Sequence, residues 1–224
     1  MELREVTYLA IALRIVAAVI VGGLLGLERG LKNRPAGLRT YMLVCVGACV
    51  VMLTNQYMVQ VYGTGDPVRM GAQVVSGIGF LGAGTIIVTR RNQIKGLTTA
   101  AGLWAAAGVG LALGVGFYEA ALIGGFAVFF VMTLLQRMDN KMHRNAKILE
   151  TYVELNKDLS LGDFLRMIRD QEIEVRHTQR DHDSEQENGV RAYILTLRLK
   201  KRQNHLDLID QLRTIDGVLY LEEL

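Results

Sequence analysis

The sequence predicts a multi-pass α-helical membrane bundle of five transmembrane helices, followed by a C-terminal α+β domain in the ferredoxin-like split arrangement. Three observations predict this. Charge is uneven: residues 1–136 hold 10 Lys/Arg and 5 Asp/Glu, whereas residues 137–224 hold 15 and 17. Glycine divides the same way, 21 against 3. The windows 41–62, 70–89, 96–118 and 120–136 carry no charge at all. A Gly-rich, charge-poor front on a charge-rich tail excludes a single soluble domain, a disordered chain and a disulfide-framed secreted chain.

A helix needs about 20 apolar residues to cross the bilayer's hydrocarbon layer. The spans are expected at residues 6–27, 41–62, 70–89, 96–116 and 119–136. Only Arg14 interrupts the first, and Gln136 and Arg137 extend the short fifth toward the interface. No charged start with a short apolar core and an A-x-A site is present, so a signal peptide is not expected. Basic residues in short loops set orientation. Arg29, Lys32, Arg34 and Arg39 follow span one, Arg90, Arg91 and Lys95 follow span three, and Arg137, Lys141, Arg144 and Lys147 follow span five. The alternate side has only Arg4 and Arg69. This places the N-terminus outside and the C-terminus in the cytoplasm.

Gly22, Gly26 and Gly30 repeat every four residues, as do Gly102, Ala106, Gly110 and Gly114. Each set forms a smooth stripe for close helix approach. Span three carries Gly71, Ser76, Gly77, Gly79, Gly82 and Gly84 and is expected near the bundle centre. Its glycines admit two readings, tight packing or a ligand passing close to exposed backbone.

Residues 137–147 read as a basic linker, and 148–224 as strand, helix, strand, strand, helix, strand. Ile148–Leu155 is the first strand. Ser160 and Asp163 form a capping box ahead of Leu161, Phe164, Leu165 and Ile168 at helical spacing. Ile173 and Val175 alternate with Glu174 and Arg176, and the polar stretch 181–189 ends in Asn188-Gly189, a hairpin signal. Leu195, Leu197 and Leu199 alternate with polar neighbours, Leu208, Leu212 and Ile215 mark the second helix, and Val218–Leu221 closes the domain after Gly217.

Gly77, Gly79 and Gly82 match the spacing of a dinucleotide-binding turn. They lie inside an uncharged span, with no βαβ unit around them, so nucleotide binding is not expected. Cys45 and Cys49 lack metal or redox spacing and read as small packing residues. Asp181, His182, Asp183, Glu185 and Glu187 read as a solvated loop. The four histidines all lie in the tail, and no catalytic constellation or cofactor site emerges. Ionisable groups at the bilayer are better pointers: Arg14, and at the inner mouth Glu28, Arg29 and Arg39. Glu28 and Arg39 flank one short loop, either as a loop-fixing ion pair or as part of a cytoplasmic-mouth site. A Mg²⁺ path would want hard oxygen ligands, and no carboxylate sits at mid-span.

Gly26-Leu-Glu28-Arg29, Ala36-Gly37-Leu-Arg39-Thr40 and Val46-Gly-Ala48 resemble the opening blocks of the MgtC/SapB family. Ser76-Gly77-Ile-Gly79-Phe-Leu-Gly82-Ala-Gly84 and Gly96-Leu-Thr98-Thr99-Ala-Ala101 with Trp104 resemble its later blocks, in the same order over residues 14–116. The resemblance implies five spans in a bacterial inner membrane and, as in MgtC-like members, a cytoplasmic ACT-like tail. It also implies a role in low-magnesium growth and acid resistance and, for some members, in survival inside macrophages. The resemblance implies that such a role is exerted through other membrane complexes such as the F-type ATP synthase. The implied partners are the lipid bilayer, other membrane proteins and a second copy of the chain, with no nucleic acid. The resemblance also implies a functional segment after span three, corresponding to Arg90–Gly96, which here begins Arg90-Arg91-Asn92-Gln93 where many relatives carry an acidic or Asn-containing turn. A regulatory protein is therefore the first expectation, and a transporter or channel for magnesium or another small ion is the alternative.

Overall fold

A computed structural model describes residues 5–32, 34–63, 65–89, 93–135, 138, 146–170, 173–181, 190–200 and 204–224. Two compact units emerge: Met1–Thr89 with Ile94–Gln136, and a second made chiefly of Arg137–Leu224.

The first unit is helical: α1 (Tyr8–Leu31), α2 (Leu38–Tyr62), α3 (Arg69–Gly84), α4 (Leu97–Val115) and α5 (Tyr118–Phe130), which runs into a π-helical turn at Val131–Leu135. A small antiparallel pair, β1 (Ile87–Val88) and β2 (Ile94–Lys95), joins α3 to α4. Among the described residues, four segments are long and apolar enough to cross a membrane: Tyr8–Leu31, Leu38–Tyr62, Leu97–Val115 and Tyr118–Leu135. The unit has an apolar exterior. Leu13, Val16, Ile20, Leu24, Leu27 and Leu31 recur along one exposed face of α1. A water-exposed stripe of this kind would be costly, and a lipid-facing one is not.

Small residues do the packing inside. A Cβ on Gly22 would lie 2.9 Å from the Cα of Met42, and one on Gly26 2.8 Å from the Cα of Leu38, so α1 and α2 meet at backbone distance. On α4, a Cβ at Gly114 would lie 2.6 Å from the Cys49 carbonyl oxygen. The two glycine stripes therefore both face α2, as their spacing predicts. Cys45 and Cys49 are free, buried packing residues.

The third expected span differs from its window. Helix α3 has 16 residues, about 24 Å at 1.5 Å per residue. Thr85 ends it, its hydroxyl donating to the Gly82 carbonyl at 2.8 Å, and the backbone then extends into β1. Apolar Ile86, Ile87 and Val88 keep the window uncharged after the helix has stopped. Nor is α3 central: of its residues only Gly71, Ile78 and Gly82 are buried, against nine on α4. Val74 and Ile78 are the α3 side chains in an apolar cluster with Ala48 and Ala107, whereas Gly77, Gly79 and Gly84 bring no side chain to fill space.

The second unit is an antiparallel sheet with two helices: β3 (Ile148–Leu155), α6 (Leu161–Asp170), β4 (Ile173–Asp181), β5 (Arg191–Leu199), α7 (His205–Arg213) and β6 (Val218–Glu223). Strand order is β4-β5-β3-β6, with Val153 opposite both Tyr193 and Leu221. The apolar faces of strands and helices meet in one core of Leu149, Val153, Phe164, Ile168, Leu195, Leu197, Leu212 and Leu221 among others. Ser160 caps α6 as expected: its hydroxyl accepts the Asp163 amide at 3.2 Å and donates to the Asp163 carboxylate at 2.5 Å. Gly217, at φ +94°, turns the chain against Leu159, where a Cβ would clash at 2.7 Å. Strands β4 and β5 run longer than their sequence patterns. The acidic loop 182–189 and most of the linker 137–147 lie outside the described residues, as do Arg90, Arg91 and Asn92.

Candidate functional site

Two arginines of α1 are fully enclosed, one toward each end of the membrane unit. They are about 22 Å apart along the helix. Arg14 faces the interior of the bundle. Its Nη1 donates to Gln56 Oε1 at 2.7 Å and to the Gly114 carbonyl at 2.8 Å, and its Nε to the Tyr118 hydroxyl at 3.2 Å. One guanidinium thus ties α1 to the C-terminal ends of α2 and α4 and to the start of α5. A planar fork of five donors suits this, since each acceptor lies in a different direction.

Arg29 does the same at the opposite end. Its Nη2 donates to Glu28 Oε2 at 2.7 Å and to the Met132 carbonyl, inside the π-helical turn, at 3.0 Å. Glu28 also receives Lys32, one turn on. This corrects the expected Glu28–Arg39 pair. Arg39 is exposed, and the carboxylate is taken by the two cations of its own helix, which lie one and four residues away.

Above Arg29 lies a cavity of about 560 Å³. Its walls are the end of α1 and the following loop (Arg29, Arg34, Pro35), the β1–β2 pair (Ile87, Thr89, Ile94, Lys95) and the first turn of α4 (Gly96, Leu97, Thr98, Thr99). Gly96 sits at φ +100°, where a side chain would run into the Thr85 carbonyl, so close approach of the hairpin to α4 requires glycine. Thr99 is buried, and its carbonyl accepts the Tyr41 hydroxyl at 3.3 Å.

The structure therefore gathers Arg29, Gly96, Thr98 and Thr99 at one mouth, with Gly26 and Glu28 on the adjoining helix. Gly37 and Thr40 belong to the α1–α2 side, Gly37 facing Gly30 and Thr40 lining a second cavity. Ser76, Gly77, Gly79 and Gly84 are exposed on α3, and Trp104 is 56 % exposed on α4. Gln93 precedes β2 and does not line the basic cavity. Sequence reasoning missed Tyr41, Gln56 and Tyr118. Asn55-Gln56 is an adjacent amide pair within an uncharged window, a signal that a buried donor needs an acceptor there.

The MgtC family profile matches residues 15–141. The chain belongs to the MgtC family. A protein of Haemophilus influenzae is 32% identical over 96% of this chain and 92% of its own length. Protein SapB of Bacillus subtilis is 30% identical over 93% of each. The putative magnesium transporter YhiD of Escherichia coli is 34% identical over 64% of this chain and 69% of its own. No solved structure matches. The matched region of this MgtC-family chain includes Arg29 and the basic cavity and begins one residue after Arg14, and the two longer alignments extend through the sheet unit.

Proposed function

We propose that this protein is a regulatory membrane protein of the MgtC type, adapting a bacterium to low magnesium by contacting other membrane complexes. In this reading α3 completes five spans of the inner membrane, the N-terminus is outside, and the βαββαβ unit is an ACT-like cytoplasmic domain. Acid resistance, survival in macrophages and contact with the F-type ATP synthase belong to the same proposal.

The observation that carries it is the α3 face. A Cβ at Gly77, Gly79 or Gly84, or at Gly47 on α2, would meet nothing within 4 Å. The chain has no internal packing use for these glycines, whereas Gly22, Gly26, Gly110 and Gly114 each abut backbone. Two of them, Gly47 and Gly77, line an apolar groove of about 490 Å³ together with Val44, Val74, Ile78 and Leu81. Open small residues on a lipid-facing helix favour approach of a further helix. A Gly77→Leu variant, filling the groove, should accumulate and fold normally yet fail to support growth at limiting magnesium. Unimpaired growth would refute the partner face.

The alternative, a magnesium transporter, draws on the description of the Escherichia coli relative. The basic mouth opposes it, since cations lining an entrance repel a divalent cation. Purified protein in liposomes should pass no Mg²⁺, and a saturable flux would select the transporter instead.

A further inference from the structure

We propose that the cavity at the inner ends of α1 and α4 binds a phosphate-bearing anion. Arg34 and Lys95 both line it, one after α1 and one on β2, and neither forms an ion pair with a described residue. Arg29 closes the same cavity from below at 1% exposure. Its charge is shared with Glu28, and Glu28 already serves Lys32. Among the described residues the neighbourhood thus holds the cations Arg29, Lys32, Arg34 and Lys95 and the carboxylate of Glu28, and none of the described residues lining the cavity is a carboxylate.

Converging like charges are unfavourable unless an anion enters between them. A guanidinium, an ammonium and the Thr98 hydroxyl offer only donors or flexible donors to that anion, the set that phosphate oxygens accept from. The volume, about 560 Å³, exceeds what a bare ion fills and lies in the range of small-ligand sites. The cavity also opens where helices end, the level at which lipid phosphates lie and at which basic pockets hold headgroups. Phosphate chemistry can reach it from two sources, an anionic lipid headgroup or a free phosphate.

The test uses the full chain in phosphatidylcholine nanodiscs. Inorganic phosphate is titrated in one arm, and phosphatidylglycerol replaces part of the lipid in the other, with thermal unfolding as the readout. The midpoint should rise in at least one arm. A response to phosphatidylglycerol alone identifies the headgroup, and a response to inorganic phosphate alone identifies a soluble ligand. Arg34→Ala and Lys95→Ala should each weaken the response about tenfold, the worth of one charged hydrogen bond. Both residues are surface-accessible, so the variants should fold. Arg39→Ala, exposed and outside the lining, should respond as the unaltered protein does. No midpoint change in either arm, or an undiminished response in the Arg34→Ala/Lys95→Ala double variant, overturns the proposal.

Discussion

Gly110 of α4 lies so close to Cys45 of α2 that a Cβ on the glycine would be driven into the Cys45 carbonyl oxygen and would stand 2.9 Å from the Ala48 Cβ. Backbone cannot yield as a side-chain tip can. Gly110→Leu should therefore force α2 and α4 apart, at about 1–3 kcal/mol or more for overpacking. Accumulation in membranes and the thermal midpoint in detergent should both fall sharply. Gly77→Leu, made in open space, is the control expected to melt normally. Equal midpoints for the two variants would contradict the packing described.

Arg14 joins four helices through side chain and backbone acceptors. Arg14→Met should leave Gln56 Oε1 and the Gly114 carbonyl dry, at about 1–3 kcal/mol for each. Arg14→Lys should rescue little, because one ammonium cannot reach acceptors spread around a planar fork. Gln56→Leu should cost less alone and little more on top of Arg14→Met. A double-mutant cycle on detergent melts would reveal this coupling, and additive losses would count against it.

Glu28 is coupled to its own helix. Cycles pairing Glu28→Gln with Lys32→Met should show an interaction, modest because Lys32 is 34% exposed. The cycle pairing Glu28→Gln with Arg39→Ala should be additive. A larger coupling to Arg39 than to Lys32 would restore the loop-spanning pair.

The sheet unit should melt cooperatively as a separate fragment, and its starting residue should matter. His205, 1% exposed, places Nδ1 at 2.6 Å from Glu223 Oε1 and Nε2 at 2.8 Å from the Ala146 carbonyl. The Lys147 carbonyl accepts the Leu199 amide at 2.7 Å. A fragment beginning at residue 146 should thus exceed one beginning at 148 by about 1–3 kcal/mol in urea unfolding, because two buried groups lose their partners in the shorter one. Identical stabilities would mean that water replaces both bonds without cost.

These particulars show why some features were legible in the sequence and others were not. The tail was, because Leu195, Leu197 and Leu199 alternate along one strand and Ser160 caps its helix within four residues. Local patterns dictate local structure. The glycine stripes were legible for the same reason, since a four-residue repeat defines a helix face. The end of α3 was not, because hydropathy continues through Ile87–Val88 while the backbone changes state. Arg14 had no readable partners: Gly114 and Tyr118 are 100 and 104 residues away. For Glu28 the sequence offered four nearby cations, Arg29, Lys32, Arg34 and Arg39, and only helix geometry chose between them.

The unequal seating of the helices has a mechanical consequence. Where α1, α2 and α4 touch backbone to backbone, no layer of rotatable side chains lies between them to absorb strain, so the three behave as one stiff plank. Helix α3, with three buried residues, is the compliant margin of that plank. A displacement of α3 would therefore meet less packing resistance than one of α1, α2 or α4, and the short β1–β2 pair joins α3 to the first turn of α4.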